Sequence, residues 1–287
     1  MGFKLPSTDA ADRRIIIDAD SRPPLFDFKT LWEHRELLIF MIWREWSVRY
    51  KQTALGIGWV IVQPLATTVI FSVVFGLFAR IETAIPYPVF FLAGFVPYRL
   101  FADSLGGASN SLTNNAHLVN KVYFPRIIMP LTAIITTLSD FLVALGVLLV
   151  TMLIYGLNPF TVNILALPLF VLLALLTSTA MGLWFSALNV RYRDVAQLMP
   201  FVVQVWLYAS PVIYPIATVK ETLPASLFTL YQLNPMVSVI EGFRWALVGG
   251  DAPALSLIAI NFLTALVVLI AGLAFFNRME RTFGDVI

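Results

Sequence analysis

The chain has 287 residues, of which 59% are hydrophobic and only 13% are charged, and its mean hydropathy is +0.83. A soluble domain is charged at about a quarter of its positions, so this composition excludes a soluble globular protein and predicts a membrane protein. Cysteine is absent and histidine occurs twice, which excludes disulfides and thiol chemistry, and we predict no metal site. The net charge of +2 gives no indication of a nucleic-acid partner.

Runs without charge locate the membrane spans, because a helical crossing needs about 20 apolar residues. The uncharged run 141–190 is too long for one crossing, and the turn-forming cluster Tyr155-Gly156-Leu157-Asn158-Pro159 is expected to divide it. The predicted fold is therefore an all-α membrane protein with a transmembrane domain over 53–276. Its six predicted spans lie near residues 53–79, 87–105, 127–155, 160–188, 197–216 and 253–276.

The distribution of Lys and Arg predicts the orientation of the chain. With both termini in the cytoplasm, 15 of the 19 basic residues lie inside, whereas Arg80, Lys220 and Arg244 lie outside and Arg99 lies within a span. Basic residues concentrate on the cytoplasmic side of membrane proteins. Segments 1–28 and 277–287 are thus predicted to be cytoplasmic tails.

Residues 29–51 predict an amphipathic helix in the membrane interface. One helical face is polar or charged except at Phe40, and the opposite face carries Trp32, Ile39, Trp43, Trp46 and Tyr50. A tryptophan-rich face opposite a charged one is typical of interfacial helices. A helix that only steadies the first span is the alternative reading.

Segment 217–250 predicts short helices on the outer side, divided by Pro224 and Pro235. Asn234-Pro235 has the pattern of an N-cap followed by proline at the first helical position. Gly249-Gly250 is expected to end the second helix after about four turns, too short to cross a bilayer. Such a pair of hydrophobic helices predicts a re-entrant hairpin.

Three charged residues, Arg99, Asp103 and Asp140, fall within or beside predicted spans, where a charge is costly and must face a protein interior or a wet path. Arg99 and Asp103 are four residues apart on one helical face and can pair. An internal ion pair near the cytoplasmic interface and a functional site both remain open for this pair. For Asp140, functional and packing roles are equally open.

No lysine follows a glycine, so a phosphate-binding P-loop is excluded, and no G-x-S-x-G or H-E-x-x-H motif occurs. We therefore predict no catalytic residues, no enzyme activity and no cofactor in this chain. If the protein uses ATP, another chain must bind it.

Five motifs resemble those of the ABC-2 type permeases of polysaccharide-exporting ABC transporters, in order and across nearly all of the chain after residue 28. They are Arg49-Tyr50-Lys51-Gln52-Thr53-Ala54-Leu55-Gly56 continuing through Trp59 to Gln63-Pro64-Leu65, Asn120-Lys121-Val122-Tyr123-Phe124-Pro125-Arg126, Asn189-Val190-Arg191-Tyr192-Arg193-Asp194, Ser210-Pro211-Val212-Ile213-Tyr214-Pro215 and Leu233-Asn234-Pro235-Met236.

The resemblance implies a homodimer in the bacterial cytoplasmic (inner) membrane, bound to two separate ATPase subunits that hold ATP and magnesium. An undecaprenyl-pyrophosphate-linked glycan, O-antigen in the first instance, would pass between the protomers. Segment 29–51 would be a gate helix beside membrane lipid, and 217–250 the outer re-entrant helices. A cytoplasmic coupling helix near 109–121, after a break at Gly106-Gly107, would dock on the ATPase.

Within that framework we predict four groups of site residues. Arg44, Arg49 and Lys51, beside Tyr50, attract the lipid pyrophosphate, or else serve as ordinary positive-inside anchors. Trp59, Gln63 and Tyr208, together with Tyr50, are the candidates for the glycan path. The coupling residues are Asn115, His117, Leu118, Val119 and Lys121, with a plain connecting loop as the alternative. The loop between spans four and five carries Arg191, Arg193 and Asp194.

Other functions remain open from the sequence. Capsular polysaccharide or teichoic-acid export uses the same architecture, and export of a small molecule or drug is a more distant alternative. A membrane-embedded transferase or hydrolase would have only Arg99 and Asp103 as a candidate pair, and an ATP-independent pore fits the composition. An adjacent gene for a P-loop ATPase would favour the exporter.

Overall fold

The computed structural model describes residues 28–51, 56, 58–122, 124–280 and 283. The predicted N-terminal segment, apart from Phe28, lies outside the described residues, as does most of the C-terminal tail after Glu280. The regular structure of the described part is helical throughout. Its α-helices are α1 (Phe28–Glu33), α2 (Arg35–Lys51), α3 (Gly58–Phe71), α4 (Tyr87–Asn114), α5 (Ala116–Lys121), α6 (Ile128–Ile154), α7 (Leu167–Arg191), α8 (Asp194–Tyr208), α9 (Ile216–Thr222), α10 (Ala225–Gln232), α11 (Pro235–Val248) and α12 (Leu255–Glu280).

Five helical segments of the described part have the length and apolar composition of membrane spans, with 21 to 30 residues each. A π-helical turn, Ser72–Phe78, extends α3, and a 3-10 turn, Val162–Ala166, leads into α7. These five segments coincide with predicted spans one, two, three, four and six. They are Gly58–Phe78, Tyr87–Asn114, Ile128–Ile154, Val162–Arg191 and Leu255–Glu280.

The fifth predicted span, 197–216, contains a helix shorter than predicted. α8 has 15 residues and is therefore about 22 Å long, less than the roughly 30 Å of a hydrocarbon core. The chain then turns, with Ser210, Val212 and Ile213 buried inside the protein. Irregular backbone is tolerated at membrane depth where protein shields it from lipid. Of the six predicted spans, five are therefore long apolar helices in the described residues, and the fifth contains a shorter one.

Two predicted breaks had different outcomes. The break at Tyr155-Gly156 is confirmed, since α6 ends at Ile154 and Gly156 has a φ of 74°. The break at Gly106-Gly107 is wrong, because α4 continues through both glycines for a total of 28 residues. Glycine in a helix costs about 1 kcal/mol relative to alanine. Packing of α4 against α6 and α7 offsets this cost, so the helix ends only at Asn114.

α4 lies at the centre of the packed helices, between α6 and α7, and α7 also packs against α12. The apolar stretch of α4 is 72% buried, whereas that of α3 is 11% buried. Small residues allow these close approaches: a Cβ on Gly182 would lie 2.8 Å from Cβ of Ala108, and a Cβ on Gly272 would lie 2.9 Å from the Ala180 carbonyl oxygen. The surface of α3 is therefore available for contact with lipid or another protein.

Candidate functional site

The predicted amphipathic segment forms α1 and α2, separated at His34, and α2 packs alongside the first half of α6. Met41 shares an apolar cluster with Met129, and eight residues later Arg49 reaches Asp140. The two helices therefore run in the same direction. The end of α2 lies about 16 Å along α6 from Met129, at 1.5 Å per residue.

The tryptophan-rich face of this segment points away from the rest of the described chain. Trp32, Ile39, Trp43 and Trp46 are all exposed. Tyr50 is the exception on this face, because its side chain is half-buried and its hydroxyl bonds to α6.

Asp140 of α6 is held by two consecutive residues at the end of α2. Nη1 of Arg49 lies 2.5 Å from Oδ2 of Asp140, and the Tyr50 hydroxyl donates a hydrogen bond to Oδ1. Burial and the hydrogen bond to Asp140 raise the pKa of Tyr50 to about 12, so the phenol stays protonated and keeps donating at neutral pH.

The predicted Arg99–Asp103 pair is confirmed, with 3.0 Å between Nε of Arg99 and Oδ2 of Asp103. Arg99 also donates a hydrogen bond to Oε1 of Gln63 on α3. Arg99, Asp103 and Asp140 line one small cavity of about 10 Å³ between α4 and α6. The structure thus unites residues that the sequence placed in separate groups: a charge cluster of Arg49, Arg99, Asp103 and Asp140, with Tyr50 and Gln63 as hydrogen-bonding neighbours.

A larger open cleft, of about 330 Å³, lies on the other side of Arg49, between α2 and the ends of α4 and α6. Arg44 and Glu45 line it with Asn114 and Asn115. Nη2 of Arg44 donates to Oδ1 of Asn115 at 3.1 Å, and so ties α2 to the junction of α4 and α5. Two arginines make this cleft a suitable site for an anion.

Lys51 does not line the cleft, although it was grouped with the two arginines. Its Nζ lies 5.7 Å from the centroid of the Trp43 ring, on the exposed side of α2. The arrangement therefore separates Lys51 from Arg44 and Arg49.

The predicted coupling region consists of the end of α4, Asn115 and the six-residue helix α5. His117 and Lys121 are exposed and Leu118 is partly exposed, so a partner could contact them. Val119 is 6% exposed and packs inside the chain, in a cluster with Met41, Leu112 and Phe124. The predicted exposed pair Leu118-Val119 thus has one member turned outward and one turned inward.

Asn234 joins the predicted outer helices to the end of α8. Its Oδ1 accepts from the backbone nitrogen of Met236 at 3.1 Å, which confirms the predicted N-cap of α11. The same oxygen accepts from Nε1 of Trp206, and Nδ2 donates to the Ala209 carbonyl oxygen at 3.0 Å and to the Ser210 hydroxyl. The predicted end of α11 is confirmed at Gly249, which has a φ of 92°.

Arg244 of α11, counted among the outer charges in the sequence, is buried with 8% exposure. Its Nη2 donates to the Val212 carbonyl oxygen at 2.9 Å, and its Nη1 pairs with Glu241 at 2.8 Å. Its guanidinium carbon lies 3.7 Å from the centroid of the Phe90 ring. Arg244 therefore fastens the turn after α8 to α4 and α11, a role without a sequence signal because its partners lie on three different elements.

The remaining predicted residues lie apart from the charge cluster. Trp59 and Tyr208 are about half exposed, at 47% and 50%. Arg191, Arg193 and Asp194 are exposed where α7 passes into α8. In the same motif the buried Asn189 donates from Nδ2 to the Ser109 carbonyl oxygen at 2.9 Å, linking α7 to α4.

A family model described as ABC-2 type transporter matches residues 36–248, and the chain belongs to this family. It is a multi-pass membrane protein of the class that forms the membrane subunits of transporters.

Among its relatives, the O-antigen export system permease protein RfbA of Myxococcus xanthus is 30% identical over 75% of this chain and 82% of its own length. A protein of the same name from Klebsiella pneumoniae is 26% identical over 88% of this chain and 95% of its own. The polysialic acid transport protein KpsM of Escherichia coli is 27% identical over 83% of this chain and 91% of its own length.

Proposed function

We propose that this chain is the permease subunit of an ABC exporter that moves a lipid-linked polysaccharide of the O-antigen type across the bacterial inner membrane. The observation that carries the proposal is the similarity to two O-antigen export permeases over 75% and 88% of the chain. Capsular polysaccharide is the second candidate cargo, favoured by the similarity to a polysialic acid transport protein.

The working assembly is a homodimer with two copies of a separate ATPase subunit, which binds ATP and magnesium. Two features support this assembly. The chain has no Gly-Lys dipeptide and hence no P-loop, and the apolar stretch of α3 is 11% buried, which leaves surface for lipid and a second copy.

In the membrane, α8 and the buried turn after it complete a sixth crossing, and α9, α10 and α11 form the outer re-entrant helices. Both termini then lie in the cytoplasm, in accord with the distribution of Lys and Arg. The support for the sixth crossing is the burial of Ser210, Val212 and Ile213, because a non-helical crossing segment must be shielded from lipid.

α2 acts as the gate helix through the cleft that Arg44 and Arg49 line. Guanidinium groups bind phosphate oxygens through paired, charge-assisted hydrogen bonds, and basic side chains at the interface attract anionic head groups. We assign the pyrophosphate of an undecaprenyl-linked glycan to this cleft. Trp59 and Tyr208, two half-exposed aromatic residues, remain candidates for contacts with the sugar chain.

α5 is the element through which the ATPase moves this subunit, and Leu118 is its partly exposed apolar residue. Leu118→Asp would place an unpaired charge in the docking interface, at a cost of several kcal/mol, on the order of 3–5 when a buried charge lacks its partner. We expect an inserted, folded subunit that no longer co-purifies with the ATPase or no longer stimulates it. Val119→Asp is the contrasting variant, since it buries the charge within the chain and should disturb folding. Normal export by Leu118→Asp would remove the coupling role.

Deletion of the gene followed by analysis of lipid-linked glycans tests the function itself. Loss of the exporter should leave undecaprenyl-linked polymer in the cytoplasm and deplete the surface of the corresponding glycan. The sugar composition of the retained polymer distinguishes O-antigen from capsule. An unchanged surface glycan, in a strain with one such exporter, would refute the proposal.

A further inference from the structure

The ion pair between Arg49 and Asp140 stands at the boundary between two cavities of very different size. Arg49 lines the open cleft of about 330 Å³, whereas Asp140 lines the small cavity of about 10 Å³. The side chain of Arg49 is 36% exposed and that of Asp140 is 16% exposed. An anion in the cleft can therefore reach the arginine, whereas the less exposed carboxylate lies beside a cavity that has room for about one water and not for a phosphate.

We propose that Asp140 is a resident counter-ion, which the phosphate of an arriving lipid head group replaces at Arg49, and that this exchange weakens the attachment of α2 to α6. The inference rests on the proposed function, because it requires a lipid phosphate in the cleft. It adds a specific competitor for that phosphate, contributed by the protein itself.

A phosphate can take the place of the carboxylate at Arg49, because a guanidinium uses the same planar set of donors for both anions. A pyrophosphate offers more negative charge and more acceptor oxygens than one carboxylate. Arg44, the second arginine of the cleft, can contact the same anion, while Glu45 is the acidic group that faces it there.

Asp140 keeps other polar neighbours when Arg49 binds an anion in the cleft. The Tyr50 hydroxyl still donates to Oδ1 of Asp140, and Arg99 lies on the same small cavity. A carboxylate in mid-helix that lost all its partners would be strongly destabilising. The retained hydrogen bond keeps this cost low, and Tyr50 then holds the end of α2 to α6 by a neutral contact in place of an ion pair.

A purely structural role does not account for the placement of this pair. A partly exposed ion pair contributes little to stability, about 0–1 kcal/mol, so apolar packing alone could hold the two helices together. The pair also leaves its cation open to a cleft that can admit an anion. Greater exposure of the cation than of its carboxylate is what a site of exchange requires.

The experiment measures ATP hydrolysis by the permease, purified with its ATPase subunit in lipid nanodiscs, as undecaprenyl pyrophosphate is added. Asp140→Asn removes the competing charge, so the lipid concentration for half-maximal stimulation should fall by about fivefold, the size expected for release from a partly exposed ion pair. Arg49→Gln should abolish the stimulation or shift it to higher concentration. The double variant should behave like Arg49→Gln.

Two further variants serve as an opposite test and as a control. Tyr50→Phe deletes the bond that holds Asp140 after the exchange, so its half-maximal concentration should rise, opposite to Asp140→Asn. Asp251→Asn removes an exposed carboxylate far along the chain from the cluster and should match the wild type. At a lipid concentration well below half-maximal for either protein, inorganic pyrophosphate added as a soluble competitor should inhibit the lipid response more strongly in Asp140→Asn than in the wild type. Equal competition in both proteins would count against phosphate binding at Arg49.

The outcomes separate this inference from the proposed function. A wild-type complex that neither transports lipid-linked glycan nor responds to the lipid would overturn both. If the wild type responds but Asp140→Asn shows an unchanged or higher half-maximal concentration, with normal thermal stability, only the exchange is refuted. If both single variants unfold at lower temperature and lipid response follows stability alone, the pair is structural and the inference fails.

Discussion

The outer helix α11 packs tightly against α7 at Gly242, and Gly242→Ala tests whether this contact holds the fold together. A Cβ at this position would lie 2.1 to 2.3 Å from three carbon atoms of the Phe170 ring. Phe170 is 1% exposed, so its ring has no solvent-filled space to enter. Either the ring or the whole of α11 must move.

Overpacking of a core costs about 1–3 kcal/mol, and occasionally more. Alanine in place of glycine stabilises a helix interior by up to about 1 kcal/mol. Because three ring atoms overlap with the added carbon, we place the steric cost at the upper end of its range. The expected net loss in the free energy of unfolding is about 2 kcal/mol.

Gly146→Ala is the matched control, because Gly146 lies within α6 and an added Cβ there meets nothing within 4 Å. It should be neutral or stabilising by up to about 1 kcal/mol, from helix propensity alone. Thermal unfolding of both variants in the same detergent gives the comparison. Equal unfolding temperatures for the two variants would refute the packing argument.

A double variant separates the clash from other effects of the substitution. Phe170→Leu removes part of the ring and by itself should cost roughly 2 kcal/mol through the space it leaves. Combined with Gly242→Ala, it should destabilise by less than the sum of the two single changes, because the added methyl group enters that space. Strict additivity would show that Phe170 is not the obstacle.

The remaining predictions concern the two residues that anchor the outer helices. Arg244→Met should lower stability by about 3 kcal/mol, because it leaves Glu241 without its cation and the Val212 carbonyl oxygen without its donor. Adding Glu241→Gln should recover part of this loss, and an Arg244→Met protein as stable as wild type would contradict the anchoring role. Asn234→Ala should cost about 2 kcal/mol through loss of the α11 N-cap and the bonds to Trp206 and Ala209. Asn234→Asp retains the cap acceptor, so its stability should lie between those of the wild type and Asn234→Ala. Thermal unfolding ranks the variants. An Asn234→Ala protein that is more stable than Asn234→Asp would contradict the assignment.

Several features of this protein follow from short stretches of sequence. The approximate positions of the long apolar helices, the turn at Gly156 and the cap at Asn234 depend on residues that are neighbours along the chain. The Arg99–Asp103 pair belongs to the same group, since a spacing of four residues brings the side chains together on any helix. Local geometry is enough to predict such features.

Where the structure departs from the local sequence pattern, the deciding contacts come from other helices. Gly106 and Gly107 favour a break, yet α4 continues through both of them because the helices packed around it stabilise it. The composition of 197–216 favours a full span, yet the chain turns after Tyr208, where the turn is stabilised from outside by Arg244 and Asn234.

The charge cluster could be predicted only in part. Arg49, Tyr50 and Asp140 each had a sequence signal, as interfacial or intramembrane polar residues, but 91 positions separate Arg49 from Asp140. Nothing in either local pattern specifies the other as its partner. Their meeting depends on α2 and α6 running side by side in one direction, and that register is set by apolar packing between Met41 and its neighbours. The sequence thus determined which residues are chemically able to form the site, whereas helix packing decided which of them meet, because contacts between distant segments depend on how whole helix surfaces fit together.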